Sequence, residues 1–254
     1  MAGKLRRDAV AAVAPSRHEI GSGCSQKVGC AEIGETAIVF SSAPMIAFDL
    51  AQWLQNAPSC PPIVQAGATV LRKRAFELPD SLFGTEQLAL LLDRMVEAMR
   101  AAPGVGLAAP QIGVPLRLLV AEDSEERLTQ ISREARASRS RTALPLTVVA
   151  NPELTLEPGP EATFYEGCLS VRGYAALVRR AHAITIAGVD ANGTAIRMRA
   201  VGWPARIFQH EVDHLNGTLY VDRMISRSLT AEGDLVRLSD MPVDDVMREL
   251  VETA

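Results

Sequence analysis

Between residues 84 and 102, GTEQLALLLDRMVEAMRAA places Leu88, Leu91, Leu92, Met95, Val96 and Met99 three or four positions apart. That spacing predicts an amphipathic helix, ended by Pro103-Gly104. The period then changes. LRLLVA (residues 116–121) and LTVVAN (146–151) are short continuous apolar runs and predict buried strands. AITIAGVD (183–190) and TAIRMRA (194–200) flank Asn192-Gly193, which predicts a hairpin whose tight turn puts Asn-Gly at positive φ. WPARIFQHEVDHL (203–215) returns to helical spacing, with Ile207, Phe208, Val212 and Leu215 facing inward. Pro204 suits its first turn and Asn216-Gly217 its stop. Helices and strands mixed with short strand-to-strand links indicate an α+β fold with mainly antiparallel sheets.

The flanks read differently. Residues 1–60 are rich in small side chains without sustained periodicity and are expected to be poorly ordered or loosely docked. An alternative start at Met45 would make part of them an artefact. Residues 61–228 form the organised domain. Within it, SEERLTQISREARASRSR (124–141) is charged and is expected to be an exposed, partly helical insertion presenting a solvated face. The tail, 229–254, has helix-forming composition in PVDDVMRELVETA and carries more acidic than basic residues.

Composition narrows the options. The 254 residues are 48% apolar and 22% charged, ordinary for a soluble globular protein. A net charge of −4 supplies no global basic field for nucleic acid. Cys24, Cys30, Cys60 and Cys168 show no C-x-x-C spacing, which favours a reducing compartment over a disulfide scaffold. The most apolar early stretch (36–51) is broken by serines, Pro44 and Asp49, short of the roughly 20 residues a membrane span needs. The basic opening has too short an apolar run for a secretory signal, while an organellar leader stays open despite Asp8 and Glu19.

QHEVDHLNG (209–217) holds the pattern H-E-x-x-H. His210 and His214 lie one helical turn apart on one face, where both imidazoles can reach one ion at about 2.0–2.1 Å. Glu211 sits beside that face. The competing reading is a surface histidine pair with a solvated carboxylate. Against it, only four histidines exist in the chain, two fall here, and the helix is apolar enough to be buried, where unpaired imidazoles are costly. A catalytic site needs a third ligand and an open position. No histidine follows His214, so the candidates are Asp222, Glu232, Asp234, or Cys168 in FYEGCLSV (164–171). Cys168 reads either as an inert core residue or as the sulfur of a soft His₂Cys site for zinc or iron(II). In a strand, Ser170 would share its face. PGVGLAAPQIG (103–113) is a Gly-rich turn lacking G-x-G-x-x-G. Its small residues, Gly104 and Gly106 among them, permit close approach of a ligand or backbone, and Gln111 offers an amide suited to an oxyanion.

GVGLAAPQ, EGCLS and QHEVDHL, in this order and at these separations, resemble the three signature motifs of the peptide deformylase family. PPIVQAGATVLRKRA resembles that family's usual opening. The resemblance covers roughly residues 61–228. It implies sheets arranged around a central metal-binding helix, and an enzyme that removes the formyl group from formyl-methionine at the start of nascent chains, releasing formate. It assigns Cys168, His210 and His214 to one divalent metal, Fe2+ foremost, with Zn2+, Ni2+ or Co2+ as substitutes. It makes Glu211 the acid/base acting on a metal-activated water. Gln111 and the Leu169 N–H would face the oxyanion, Gly106 and Gly104 would line the substrate, and Glu166 and Arg180 would pair behind the sulfur ligand. Transient ribosome contact is expected of the family, but the acidic tail does not support docking through a basic helix. A monomer in the cytoplasm is expected, with a mitochondrion or plastid as the alternative, and without membrane or specific nucleic-acid binding. Arg172-Gly173-Tyr174 replaces the Pro-containing turn of many bacterial members and resembles the branch that includes organellar enzymes. Competing classes are a metalloprotease, a catalytically inactive binding module and a closed structural zinc site. The first is disfavoured by Cys168, the second by the complete residue set, the third by the lack of a fourth ligand.

Overall fold

The computed structural model describes residues 48–239 and 241–252. Most of the expected N-terminal extension, and Met45 with it, lies outside these residues. Its last part does not match the expectation. Helix α1, Leu50–Asn56, is capped by the Asp49 carboxylate, which accepts from the Gln52 N–H at 3.0 Å. It buries Leu50 and Leu54, and Trp53 stacks with the Arg94 guanidinium 5.7 Å from the ring centre. About two turns of helix are too few to show as periodicity.

Helix α2, Glu86–Ala101, is the helix expected from the first apolar stripe. Thr85 accepts the Leu88 N–H at its start, and Leu88, Leu91, Met95, Ala98 and Met99 are buried. The chain then enters strand β1, Gly106–Ala108, and β2, Leu118–Asp123. The 124–141 segment contains two short helices, α3 (Glu125–Thr129) and α4 (Arg133–Ser138). It is not merely a solvated face. Arg127 donates to the carbonyls of Gly104 and Pro103, each at 2.8 Å, and Arg141 pairs at 2.7 Å with the fully buried Asp123.

β3, Leu144–Leu156, is much longer than LTVVAN. It contains Pro152 at a register shift between Ala150 and Glu153, where a missing N–H breaks no regular ladder. β4 (Glu161–Cys168), β5 (Val171–Ala181), β6 (Ala183–Val189) and β7 (Ala195–Val201) follow. The expected β6–β7 hairpin is present, but its turn is wider than Asn-Gly alone. The Asp190 carboxylate accepts the Asn192 and Thr194 N–H groups at 2.8 and 2.9 Å, and only Gly193 takes positive φ.

Two antiparallel sheets result, one ordered β1-β2-β3-β6-β7 and the other β4-β5-β8, where β8 is Thr230–Ala231. Helix α5, Trp203–Leu215, runs between them and is buried along almost its whole length. Its Ile207, Phe208, Val212 and Leu215 join Leu119, Val149, Ile184 and Ile186 of the larger sheet in one apolar core. Burying such an apolar face is worth roughly 1.5–3 kcal/mol per large side chain. The helix stops where Gly217 adopts φ +77°; a Cβ there would approach the Arg72 carbonyl carbon to 2.8 Å. Arg117 closes the same end by donating to Leu215 O and Asn216 Oδ1. The fold is thus α+β with a central helix. Within the tail, α6 is Glu232–Ser239 and α7 is Val243–Val246, followed by a π-helical turn, Met247–Glu252.

Candidate metal centre

Helix α5 must place two imidazoles where a sheet can offer a third donor. The smaller sheet does so at the end of β4. Cys168 is the last residue of that strand, beside a register shift after Gly167. Leu169 and Ser170 form the turn into β5, so Ser170 reaches the sulfur from a turn and not along a strand face. The Ser170 N–H lies 3.4 Å from Cys168 Sγ.

Among the described residues, Cys168, His210 and His214 form a group whose ligand atoms all lie within 4.8 Å of one another. Cys168 Sγ and His214 Nε2 are 3.2 Å apart, and the two imidazole centres 5.1 Å apart. Burial holds His214 well below the usual imidazole range, leaving it neutral with a lone pair to give. This donor set fits a borderline divalent ion: one cysteine sulfur and two imidazole nitrogens, with no fourth protein ligand in the group.

His210 is oriented from behind. Its Nδ1 lies 3.0 Å from Glu166 Oε2, which leaves Nε2 for the centre. Burial alone would depress His210, but Cys168 and Glu166 outweigh it and carry its pKa well above normal; an ion bound beside that sulfur would take the place of the Nε2 proton. Glu166 also takes Arg180 Nε and Nη2 at 3.0 and 2.9 Å. Burial would raise its carboxyl, yet the bonds from His210 and Arg180 hold it well below the usual carboxylate range. The expected Glu166–Arg180 pair is therefore part of something larger. Arg206 Nη1 reaches Glu166 Oε1 at 2.5 Å, Arg180 Nη1 reaches Asp213 Oδ2 at 2.5 Å, and Arg223 forks onto Asp213 at 2.6 and 2.7 Å. Arg206 and Asp213 escaped the sequence reading. Their signal was two opposite charges inside an otherwise inward-packed helix, at i−4 and i+3 from His210.

Glu211 is buried, with Oε2 unpartnered, and desolvation lifts its pKa to about 7. A carboxyl poised there exchanges protons readily at neutral pH. Gly106 explains how it fits. A Cβ on Gly106 would stand 2.7 Å from Glu211 Cδ and 2.9 Å from Cγ. The close approach foreseen for this glycine is thus made by Glu211 itself. Gly106→Ala should displace that carboxylate and lower turnover by about 10²-fold, since small misplacements cost that much; unchanged kinetics would show that the two residues do not compete for space. Gly104 meets the second motif instead: its Cβ would come within 2.9 Å of Leu169 Cδ1.

Gln111 is held in one sense. Its Oε1 accepts the Ala108 N–H at 2.8 Å, so Nε2 points to Ser170 Oγ at 3.3 Å and toward Cys168 Sγ at 3.7 Å. The amide donor therefore faces the same space as the sulfur. Of the alternative ligands, Asp222 pairs with Arg72 and caps Leu219, while Glu232 and Asp234 lie in α6; none joins the group.

Comparison with known proteins agrees with this geometry. Residues 60–229 match the polypeptide deformylase family. The chain is 43% identical over 183 residues to peptide deformylase 1A, chloroplastic, of Solanum lycopersicum, covering 72% of this chain and 65% of that protein. It is 42% identical over 168 residues to the mitochondrial peptide deformylase of Homo sapiens, covering 66% of this chain and 69% of that one. It therefore spans slightly less than two thirds of the tomato relative. The Met-Ala-Ser-bound class I type b peptide deformylase of Acinetobacter baumannii superposes with a TM-score of 0.58 at 30% identity, over 65% of this chain and 98% of that one. With the family match spanning two thirds of its length and carrying all three motifs, this chain belongs to the polypeptide deformylase family.

Proposed function

We propose that this chain hydrolyses the formamide of formyl-methionyl nascent peptides, releasing formate and a free amino terminus. The observation that carries the reading is the convergence of Cys168, His210 and His214 beside the buried, unpartnered Glu211 carboxylate. The family is metal-dependent, and the soft donor set favours Fe2+, with Zn2+, Ni2+ or Co2+ as substitutes. Cys168, His210 and His214 would hold a divalent ion, which would supply Lewis-acid polarisation and lower the pKa of water toward neutrality.

Glu211 accepts the proton of the attacking water at Oε2 as the oxygen adds to the formyl carbon. Gln111 Nε2 and the Leu169 N–H face the negative charge that grows on the formyl oxygen, each such donor being worth about 2.7–4 kcal/mol in the transition state. The C–N bond then breaks, and Glu211 returns its proton to the departing amine. Gly106 makes room for the Glu211 carboxylate and Gly104 for the Leu169 side chain, so these two glycines offer the substrate only their backbone. Glu166, with Arg180, fixes the ring of His210.

We place the catalytic domain at residues 61–228, extended by α1 before it and by β8 and α6 of the tail after it. The chain acts as a monomer in transient contact with the ribosome, without specific nucleic acid. Its location is the cytoplasm; the chloroplastic and mitochondrial names of its relatives support an organelle as the second reading. No described helix is long and apolar enough to cross a membrane.

The test is formate release from formyl-Met-Ala-Ser by protein purified without oxygen, with metal analysis on the same sample. Release should scale with bound metal and vanish in Cys168→Ala. A fully metallated sample that releases no formate would leave only the binding-module reading.

A further inference from the structure

The opening motif PPIVQAGATVLRKRA (residues 61–75) ties the site together. Residues 63–66 run between the two loops that face the formyl oxygen. The Val64 N–H donates to the Gln111 carbonyl at 2.8 Å, and the Ala66 N–H to the Ser170 carbonyl at 2.7 Å. Between them, the half-buried Gln65 sends its side-chain amide across. Nε2 donates to the Leu169 carbonyl at 3.0 Å and is steadied by Ile63 O at 3.1 Å. The strap therefore holds Gln111 with its backbone and the Cys168–Ser170 turn with both backbone and side chain.

The Leu169–Ser170 peptide unit is what Gln65 grips. Its carbonyl end takes the Gln65 amide, and its N–H end lies 3.4 Å from Cys168 Sγ. Hydrogen bonds in such a chain polarise one another, so a donor on the carbonyl strengthens the N–H at the far end. Pinning the Leu169 carbonyl also fixes the rotation of Leu169, and with it the direction of its own N–H. We infer that Gln65 is a positioning residue: it orients the turn after Cys168 so that the Ser170 N–H bears on the sulfur and the Leu169 N–H on the oxyanion.

This inference rests on the proposed deformylase reading, so its test separates the two. The Co2+-loaded wild type, Gln65→Met and Gln65→Lys are compared with Gln130→Met, a change in the exposed insertion. Met keeps the length and removes the donor; Lys restores one. Four quantities are read: the near-ultraviolet sulfur-to-cobalt absorption band, kcat, KM and the melting midpoint.

Gln65→Met should move the band to longer wavelength, because a weaker N–H···S bond leaves the sulfur electrons easier to excite. Its kcat should fall about tenfold, less than the loss of a whole oxyanion donor, with KM unchanged. Gln65→Lys should recover most of both, and Gln130→Met should match wild type. A band that stays in place in Gln65→Met overturns the inference, whether or not the melting midpoint drops. So does a loss that falls on KM, or one that Lys fails to restore. Wild type that shows the sulfur band but releases no formate refutes the deformylase reading alone, and the band shift still decides the role of Gln65.

Discussion

Glu211→Gln should retain a full equivalent of metal and lose about three orders of magnitude in kcat, within the 10²–10⁴ range that positioned acid–base groups contribute. The reason lies in the separation of tasks along α5. His210 and His214 point into the Cys168 group, while Glu211 does not belong to it. Glutamine has the same size, so the narrow space beside Gly106 is still filled. What it lacks is a basic oxygen at the position of the unpartnered Oε2. Elemental analysis and steady-state kinetics on one preparation check this. Near-normal turnover would remove Glu211 from the reaction. Loss of metal in parallel with activity would make it a group that builds the centre instead of one that carries a proton.

Much of this site was legible in the sequence because its information is local. The apolar spacing in residues 203–215 fixes the side of α5 that packs on the larger sheet, and the i, i+4 spacing of H-E-x-x-H sets both imidazoles together on the side that meets Cys168 of the smaller one. The bounds of α5 agree with the expected ones. So does the stripe of α2. What could not be read was pairing at a distance. Asp213 meets Arg180 across 33 residues and Arg206 meets Glu166 across 40, through a strand-to-helix packing that no period encodes. The same holds for the insertion. Its charges look like a solvated face until Arg127 is seen to grip the Pro103 and Gly104 carbonyls. β3 was underestimated because Asn151-Pro152 reads as a stop; the structure absorbs it with φ +49° at Asn151 and a register shift.

Glu166→Ala is expected to damage stability and metal affinity together. The carboxylate accepts from Arg180 twice, from Arg206 and from His210 Nδ1, and it is 6% exposed. Its removal leaves guanidinium charge buried with its principal partner gone, a change that costs about 3–5 kcal/mol. Arg180 retains Asp213, and Arg206 retains the carbonyls of Val178 and Ala162, so the fold survives in weakened form. In a domain of this size that is a fall in the melting midpoint of roughly 10 °C. The second effect is on the metal. Without an acceptor at Nδ1, His210 is free to turn and to change tautomer, which should weaken metal binding by about 10–100-fold. Arg223→Ala provides the contrast. Arg223 is half exposed and grips Asp213 from outside, so its loss should cost within the 0–1 kcal/mol range typical of exposed pairs, roughly. Thermal melts and chelator competition on the two variants separate these terms. If Glu166→Ala melted with wild type, the buried network would be no more than surface charge, and the orientation of His210 would need another cause.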